Sequence, residues 1–213
     1  MTLTAPLLDH LIYAGPDLDA AVDDLERRIG LRAAPGGSHP GRGTRNALIG
    51  LGAGAYLEIL APDPDQPSPD GPRWLGADGS TGPRLTSWAV RTSNLSGVAR
   101  SAQAAGVRLG DVIAGSRRRA DGVLLSWRLT DPRAGDATED GLVPFFIDWG
   151  SSPHPAASAP EGVTLAALRG EHPRPGDAAT LLGSLGLALP VTKGPRPALI
   201  AVLDTPKGLV ELR

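Results

Sequence analysis

The sequence predicts an α+β fold made of repeated strand–helix–strand–strand–strand units, and three observations carry that prediction. Residues 7–64 spell the unit out once, from the apolar run Leu7-Leu8-Asp9-His10-Leu11-Ile12-Tyr13-Ala14 to Tyr56-Leu57-Glu58-Ile59-Leu60-Ala61. Looser versions with the same element order recur at 85–150 and 162–213, a pattern that argues for duplication. Between them, 65–84 and 151–161 are rich in Pro, Asp, Gly, Ser and Ala and read as linkers.

In the first unit both faces of the opening strand are apolar, so it is expected to be covered on both sides. Alternation puts Leu8, His10, Ile12 and Ala14 on one face and Leu7, Asp9, Leu11 and Tyr13 on the other. Asp17 is a fair N-cap, and Leu18, Ala21, Val22, Leu25 and Ile29 form one helical stripe. Acids gather near the start of that helix, arginines near its end, and Gly30 closes it. The Gly- and Pro-rich stretch 31–43 reads as a short edge strand running into a mobile loop. Thr44–Leu51 and Ala55–Ala61 are strands joined at Gly52-Ala53-Gly54.

The second unit reads as strand Leu85–Thr92, helix Leu95–Ala105 and a weak strand near Val107–Ala114. Strands Val123–Thr130 and Pro144–Trp149 follow, separated by a polar loop from Asp131 to Gly141. The third reads as strand Val163–Leu168, helix Gly176–Leu185, a short strand around Val191, and strands Ala198–Leu203 and Leu209–Leu212.

Composition narrows the function. With 213 residues, 41% hydrophobic and 21% charged, the chain is globular in composition and long enough for a real core. A formal net charge of −2 gives no pull toward nucleic acid or an anionic membrane. The cluster Arg117-Arg118-Arg119 reads as a solvated loop or strand edge, with a clamp for an acidic ligand as the alternative. The absence of cysteine excludes disulfides, thiolate zinc sites and a cysteine nucleophile. No signal peptide and no long apolar run is visible, so a cytoplasmic protein is expected.

Two ionisable residues stand on apolar strand faces: His10 beside Leu8 and Ile12, and Glu58 beside Tyr56 and Leu60. Such groups need a partner, a hydrogen bond or a metal. Imidazole plus carboxylate suits a divalent transition metal; a buried His–Glu hydrogen bond is the competing reading. His39 and Arg45 could hold a carboxylate or phosphate at a pocket mouth, against a loop cap and a strand-edge salt bridge. Asn46 shares a face with Thr44 and Leu48, where it orients a ligand or forms a turn. Tyr56, Trp88, Trp127 and Trp149 are core residues or a cluster around one pocket. His154 and His172 lie in linker-like contexts. No phosphate loop, HExxH run or nucleophile elbow is present.

The runs Leu8-Asp9-His10-Leu11-Ile12-Tyr13-Ala14, Asp17-Leu18-Asp19-Ala20-Ala21 and Tyr56-Leu57-Glu58-Ile59-Leu60 resemble the glyoxalase-like branch of the vicinal oxygen chelate superfamily. His39–Ala47 and Val143–Gly150 extend the resemblance. It implies βαβββ modules whose mixed sheets curl around a pocket, with metal ligands on the first and last strand of each module. Those positions are His10 and Glu58 in the first module, and Ser87 and Asp148 in the second. Ser87 departs from the histidine usual there, and the third module offers Thr164 and Glu211. The resemblance therefore implies a small-molecule lyase or isomerase in which a divalent metal (Mn, Zn, Ni or Fe(II)) on His10, Glu58 and Asp148 polarises a substrate oxygen. Glu58 or Asp148 would shuttle the proton, and His39, Arg45, Asn46, Tyr56, Trp88 and Trp149 would contact the ligand. The alternative is a metal-free binding or sequestration protein of the bleomycin-resistance type. The expected partner is a small molecule, and the expected state a monomer or homodimer.

Overall fold

The computed structural model describes residues 8–71, 73–78, 82–119, 121–133 and 141–213. Leu7, parts of the first linker and most of the 131–141 loop lie outside the described residues.

The first module runs β1 (Leu8–Ala14), α1 (Leu18–Ile29), β2 (Ala34–His39), β3 (Thr44–Gly50) and β4 (Tyr56–Pro62). Helix α1 starts where the Asp17 carboxylate accepts the Ala20 N–H at 2.8 Å. It stops where Gly30 turns left-handed (φ 78°) and donates its N–H to the Glu26 carbonyl. Its buried stripe is Leu18, Ala21, Val22, Leu25 and Ile29.

The second module repeats the order as β5 (Arg84–Arg91), α2 (Leu95–Ala104), β6 (Val112–Arg118), β7 (Leu124–Thr130) and β8 (Phe145–Asp148). The two modules share one eight-stranded sheet, β2-β3-β4-β1-β5-β8-β7-β6. In each, the first strand lies parallel to the last, β1 to β4 and β5 to β8, and β1 and β5 join the modules antiparallel. The sheet curls until its edge strands β2 and β6 meet. A Cβ on Gly37 would come within 2.8 Å of the Arg118 carbonyl oxygen, so a glycine sits where the edges close.

Strand β6 begins later than its sequence suggested, and Arg117, in a cluster expected to be solvated, is buried within it. Because β6 rolls against β2, its Arg117 position faces the inside of the curl instead of solvent. His39 likewise is the buried last residue of β2 and not part of a loop.

The third segment runs β9 (Thr164–His172), α3 (Pro175–Ser184), β10 (Val191–Lys193), β11 (Ala198–Thr205) and β12 (Gly208–Leu212). Its sheet order is β10-β9-β11-β12, so its first strand meets the second and third strands and not the last. Element order repeats here, but strand pairing does not.

Two apolar cores result. The outer one lies on the convex side, where Leu168, Leu199, Ala201, Leu203 and Leu212 of the third segment join Leu11, Leu25, Ile49, Leu57 and Trp88. The inner one lines the hollow of the curl with Ile12, Leu60, Trp127, Phe145, Ile147 and Trp149.

Candidate functional site

The site starts from an irregularity in β1. Its pairing with β5 slips between Leu8 and His10, so an extra residue, Asp9, is inserted into the strand. A bulge of this kind re-aims side chains. Leu8 goes to the outer core, while His10 and the Asp9 carboxylate both reach the hollow. Strict alternation, which paired Leu8 with His10 and put Asp9 on the opposite face, fails here for that reason.

Asp9 is fully buried and heavily partnered. It accepts from His10 Nδ1 at 2.7 Å, Arg91 Nε at 2.8 Å, and the Trp149 indole at 3.1 and 3.2 Å. His154 Nε2 lies 3.0 Å from the same carboxylate. Burial alone would raise the Asp9 pKa, but the hydrogen bonds and charge of His10 and His154 outweigh it. They hold the carboxyl well below the usual carboxylate range. An ionised Asp9 only accepts, so the His10 proton belongs on Nδ1, and in the neutral ring Nε2 is left bare. The His10 ring is also stacked on Tyr56, centroids 4.6 Å apart and 19° between planes, with Phe145 edge-on at 5.4 Å.

Across the chamber Glu58 stands between two imidazoles: Oε2 is 3.6 Å from His10 Nε2, and Oε1 is 3.6 Å from His39 Nε2. Asn46 Nδ2 donates to Glu58 Oε1 at 2.7 Å and lies 3.3 Å from His39 Nε2, and Asn46 Oδ1 accepts from Arg117 at 3.3 Å. Burial pushes His39 down to about 4, so it is neutral at pH 7 with Nδ1 toward Thr44 Oγ1 at 3.0 Å. Burial lowers the Arg117 pKa, and the Glu58 charge works against that loss. Burial also raises the Tyr56 phenol well above its ordinary value.

These groups floor a chamber walled by Leu60, Trp74, Trp127, Phe145, Ile147 and Trp149. About 30 Å³ is open to the centres of water-sized spheres, room for about two waters. His39, Trp74 and Trp127 separate it from an outer groove of about 390 Å³ by the same measure, lined also by Arg42, Ala114, Ser116 and Ser126.

Of the residues singled out by sequence, His10, His39, Asn46, Tyr56, Glu58, Trp127 and Trp149 come together here. Asp148 does not. Phe145, Ile147 and Trp149 face the chamber, so Asp148, one position out of phase, faces the other way. There it binds Arg128 at 2.9 Å and accepts the Gly150 N–H. Trp88 is in the outer core with its indole on the Leu142 carbonyl at 2.8 Å. Arg45 pairs with Asp19 at 3.1 Å, outside the chamber. Sequence reasoning left out Asp9 and Trp74, took Arg117 first as solvated with an acidic-ligand clamp as the alternative, and set His154 aside in a linker. The acid next to His10 was the available signal, hidden by the assumption of an unbroken strand.

The metal implied by the resemblance fits these residues poorly. His10 and Glu58 supply two donors, Asp148 is turned away, and His39 Nε2 faces the Asn46 amide. No group of three or more His, Cys, Asp or Glu able to hold a cation occurs among the described residues. In the second module β7 and β8 face the chamber with apolar side chains, and Arg117 of β6 brings a cation, which repels a metal ion.

Two βαβββ modules in one curled sheet, enclosing a chamber with ionisable groups on its floor, make the fold and cavity of a glyoxalase-type protein. Residues 8–186 match a family model described as a glyoxalase-like domain, and the chain belongs to that family. A comparison with curated proteins finds no match. Among solved structures, a hypothetical protein from Staphylococcus aureus is similar over 96% of this chain and 83% of its own, at 14% identity and a TM-score of 0.61. Methylmalonyl-CoA epimerase from Mycobacterium tuberculosis is similar over 74% of this chain and 97% of its own, at 24% identity and a TM-score of 0.46. A variant of the Streptomyces coelicolor methylmalonyl-CoA epimerase, in complex with 2-nitronate-propionyl-CoA, is similar over 70% of this chain and 100% of its own, at 21% identity and a TM-score of 0.45. No helix among the described residues is long and apolar enough to cross a membrane.

Proposed function

We propose that the outer groove and the chamber together bind a small molecule, its carbonyl or carboxylate end in the chamber, and that His10 moves a proton on it, in a lyase or isomerase reaction that uses no metal. The observation that supports this most is the pairing of buried, ionised Asp9 with His10 Nδ1, which aims the Nε2 lone pair into the chamber. Asp9 also stabilises the imidazolium that forms when Nε2 takes a proton. The proton comes from carbon next to the substrate carbonyl, and the electron pair moves onto the carbonyl oxygen. Arg117 and Asn46 supply positive potential for that oxygen. Glu58, 3.6 Å from Nε2, is beyond direct hydrogen-bond distance, and one water between them would relay the proton before it returns to carbon.

The test is deuterium wash-in from D2O into pyruvate, acetoacetate and malonate, followed by proton NMR on native protein and His10→Gln. Exchange that survives EDTA and falls about a hundredfold or more in His10→Gln supports the proposal. Exchange that vanishes with EDTA, with stoichiometric metal in native protein lost in His10→Ala and Glu58→Ala, would restore the metal-dependent reading. The aromatic walls favour a second reading, a metal-free binding protein, which saturable binding without exchange would select.

A further inference from the structure

Of the four tryptophans, two have ordinary indole hydrogen bonds: Trp88 to the Leu142 carbonyl at 2.8 Å and Trp149 to Asp9. The other two do not. Trp74 and Trp127 are 6% and 9% exposed, yet neither Nε1–H has a hydrogen-bond partner among the described residues. A buried donor without an acceptor is unfavourable and needs an explanation. Both indoles border the chamber on one side and the outer groove on the other.

Their surroundings hold them in place. Trp127 lies so close to β6 that a Cβ on Gly115 would come within 2.6 Å of its indole ring. Trp74 opens a short turn, Trp74–Gly76, in which Leu75 adopts a left-handed conformation (φ 53°) uncommon for a leucine. Thr86 Oγ1 donates to the Leu75 carbonyl at 2.6 Å and ties that turn to β5. Positive charge flanks the pair: the Arg42 guanidinium lies 3.8 Å above the Trp74 ring in the groove, and Arg117 is buried in the chamber.

We infer that Trp74 and Trp127 form a two-donor subsite for the carboxylate of a small organic acid, at the junction of groove and chamber. Each indole N–H donates to the acid, Arg42 and Arg117 supply the opposing charge, and the rest of the molecule reaches toward His10. This rests on the reading of the chamber as a ligand site, but not on proton transfer within it.

The experiment is a titration of protein labelled with 15N in the tryptophan indoles, with acetate, pyruvate and benzoate as probes and ethylbenzene as a probe lacking an acceptor. Saturable downfield shifts of the Trp74 and Trp127 N–H signals with at least one acid, and not with ethylbenzene, are expected, with Trp88 unmoved. Trp74→Phe and Trp127→Phe, which keep an aromatic ring but lose the donor, should each weaken the acid about tenfold. In His10→Gln the indole shifts should persist although exchange is lost, which separates this subsite from the proposed chemistry. Immobile Trp74 and Trp127 signals with all three acids, equal shifts with ethylbenzene, or unchanged affinity in both phenylalanine variants would each overturn the subsite.

Discussion

At the scale of single residues, Asp9 and His39 are buried ionisable groups with opposite consequences. His39 titrates at about 4 in the folded chain and at 6.5 when exposed, so below about pH 6.5 the unfolded state binds the extra proton. The His39 contribution should therefore lower stability between pH 6.5 and 4 by roughly 3 kcal/mol and add no further loss below that. Urea unfolding across that range should show the slope in native protein and a flatter profile in His39→Gln. Asp9 has a depressed folded pKa, so its contribution is present above the unfolded value near 3.8 and is lost as pH falls below that. Replacing it tests both roles. Asp9→Asn leaves Arg91 and His154 without their carboxylate and should cost about 2–3 kcal/mol in urea unfolding. It should also slow deuterium exchange by about 10²- to 10⁴-fold, because the carboxylate that fixes the His10 tautomer is lost. Unchanged exchange in a folded Asp9→Asn protein would remove Asp9 from the proposed chemistry.

At the scale of elements, a glycine in β2 lets the strands carry the site. A Cβ on Gly36 would collide with the Asn46 amide oxygen and the Arg117 guanidinium. Gly36→Ala should therefore cost about 1–3 kcal/mol in thermal or urea unfolding and weaken ligand binding, by displacing the Asn46–Arg117 pair. A neutral effect on both would show that β2 and β6 are looser than described. Much of this level was legible in sequence. The α1 stripe, its Asp17 cap and the Gly30 stop follow from helical periodicity and capping chemistry, which are local. What was not legible are register events. The Asp9 bulge depends on how β5 pairs with β1, and the Asp148 face depends on a phase set by the β8 pairing. Each is a one-residue difference that inverts which side a residue faces. Arg117 was hidden for a related reason: a cationic run reads as solvated until the sheet curls and turns one of its members inward.

At the scale of the whole molecule, the third segment is a cover for the convex face of the eight-stranded sheet. Its apolar residues share the outer core, and its polar contacts reach across: Arg28 donates to the Glu211 carbonyl at 2.8 Å, and the Leu85 N–H to the Arg213 carbonyl at 2.8 Å. A chain ending at residue 162 would leave that face in water. It should bind a hydrophobic dye and lose its near-ultraviolet circular dichroism, and a soluble, cooperatively unfolding truncation would contradict this covering role. The repeat of element order was visible in sequence for all three segments. The exceptional strand pairing of the third was not, because pairing partners are chosen by packing between segments and not by periodicity within one. The central claim for the whole molecule is that its curled sheet delivers one Asp9-bound histidine with a bare Nε2 to an aromatic chamber. Nitrogen-15 NMR of histidine-labelled protein reads this directly, without a substrate. In its neutral form His10 should carry its proton on Nδ1 in native protein and lose that preference in Asp9→Asn. A proton on Nε2 in the native protein would contradict the account.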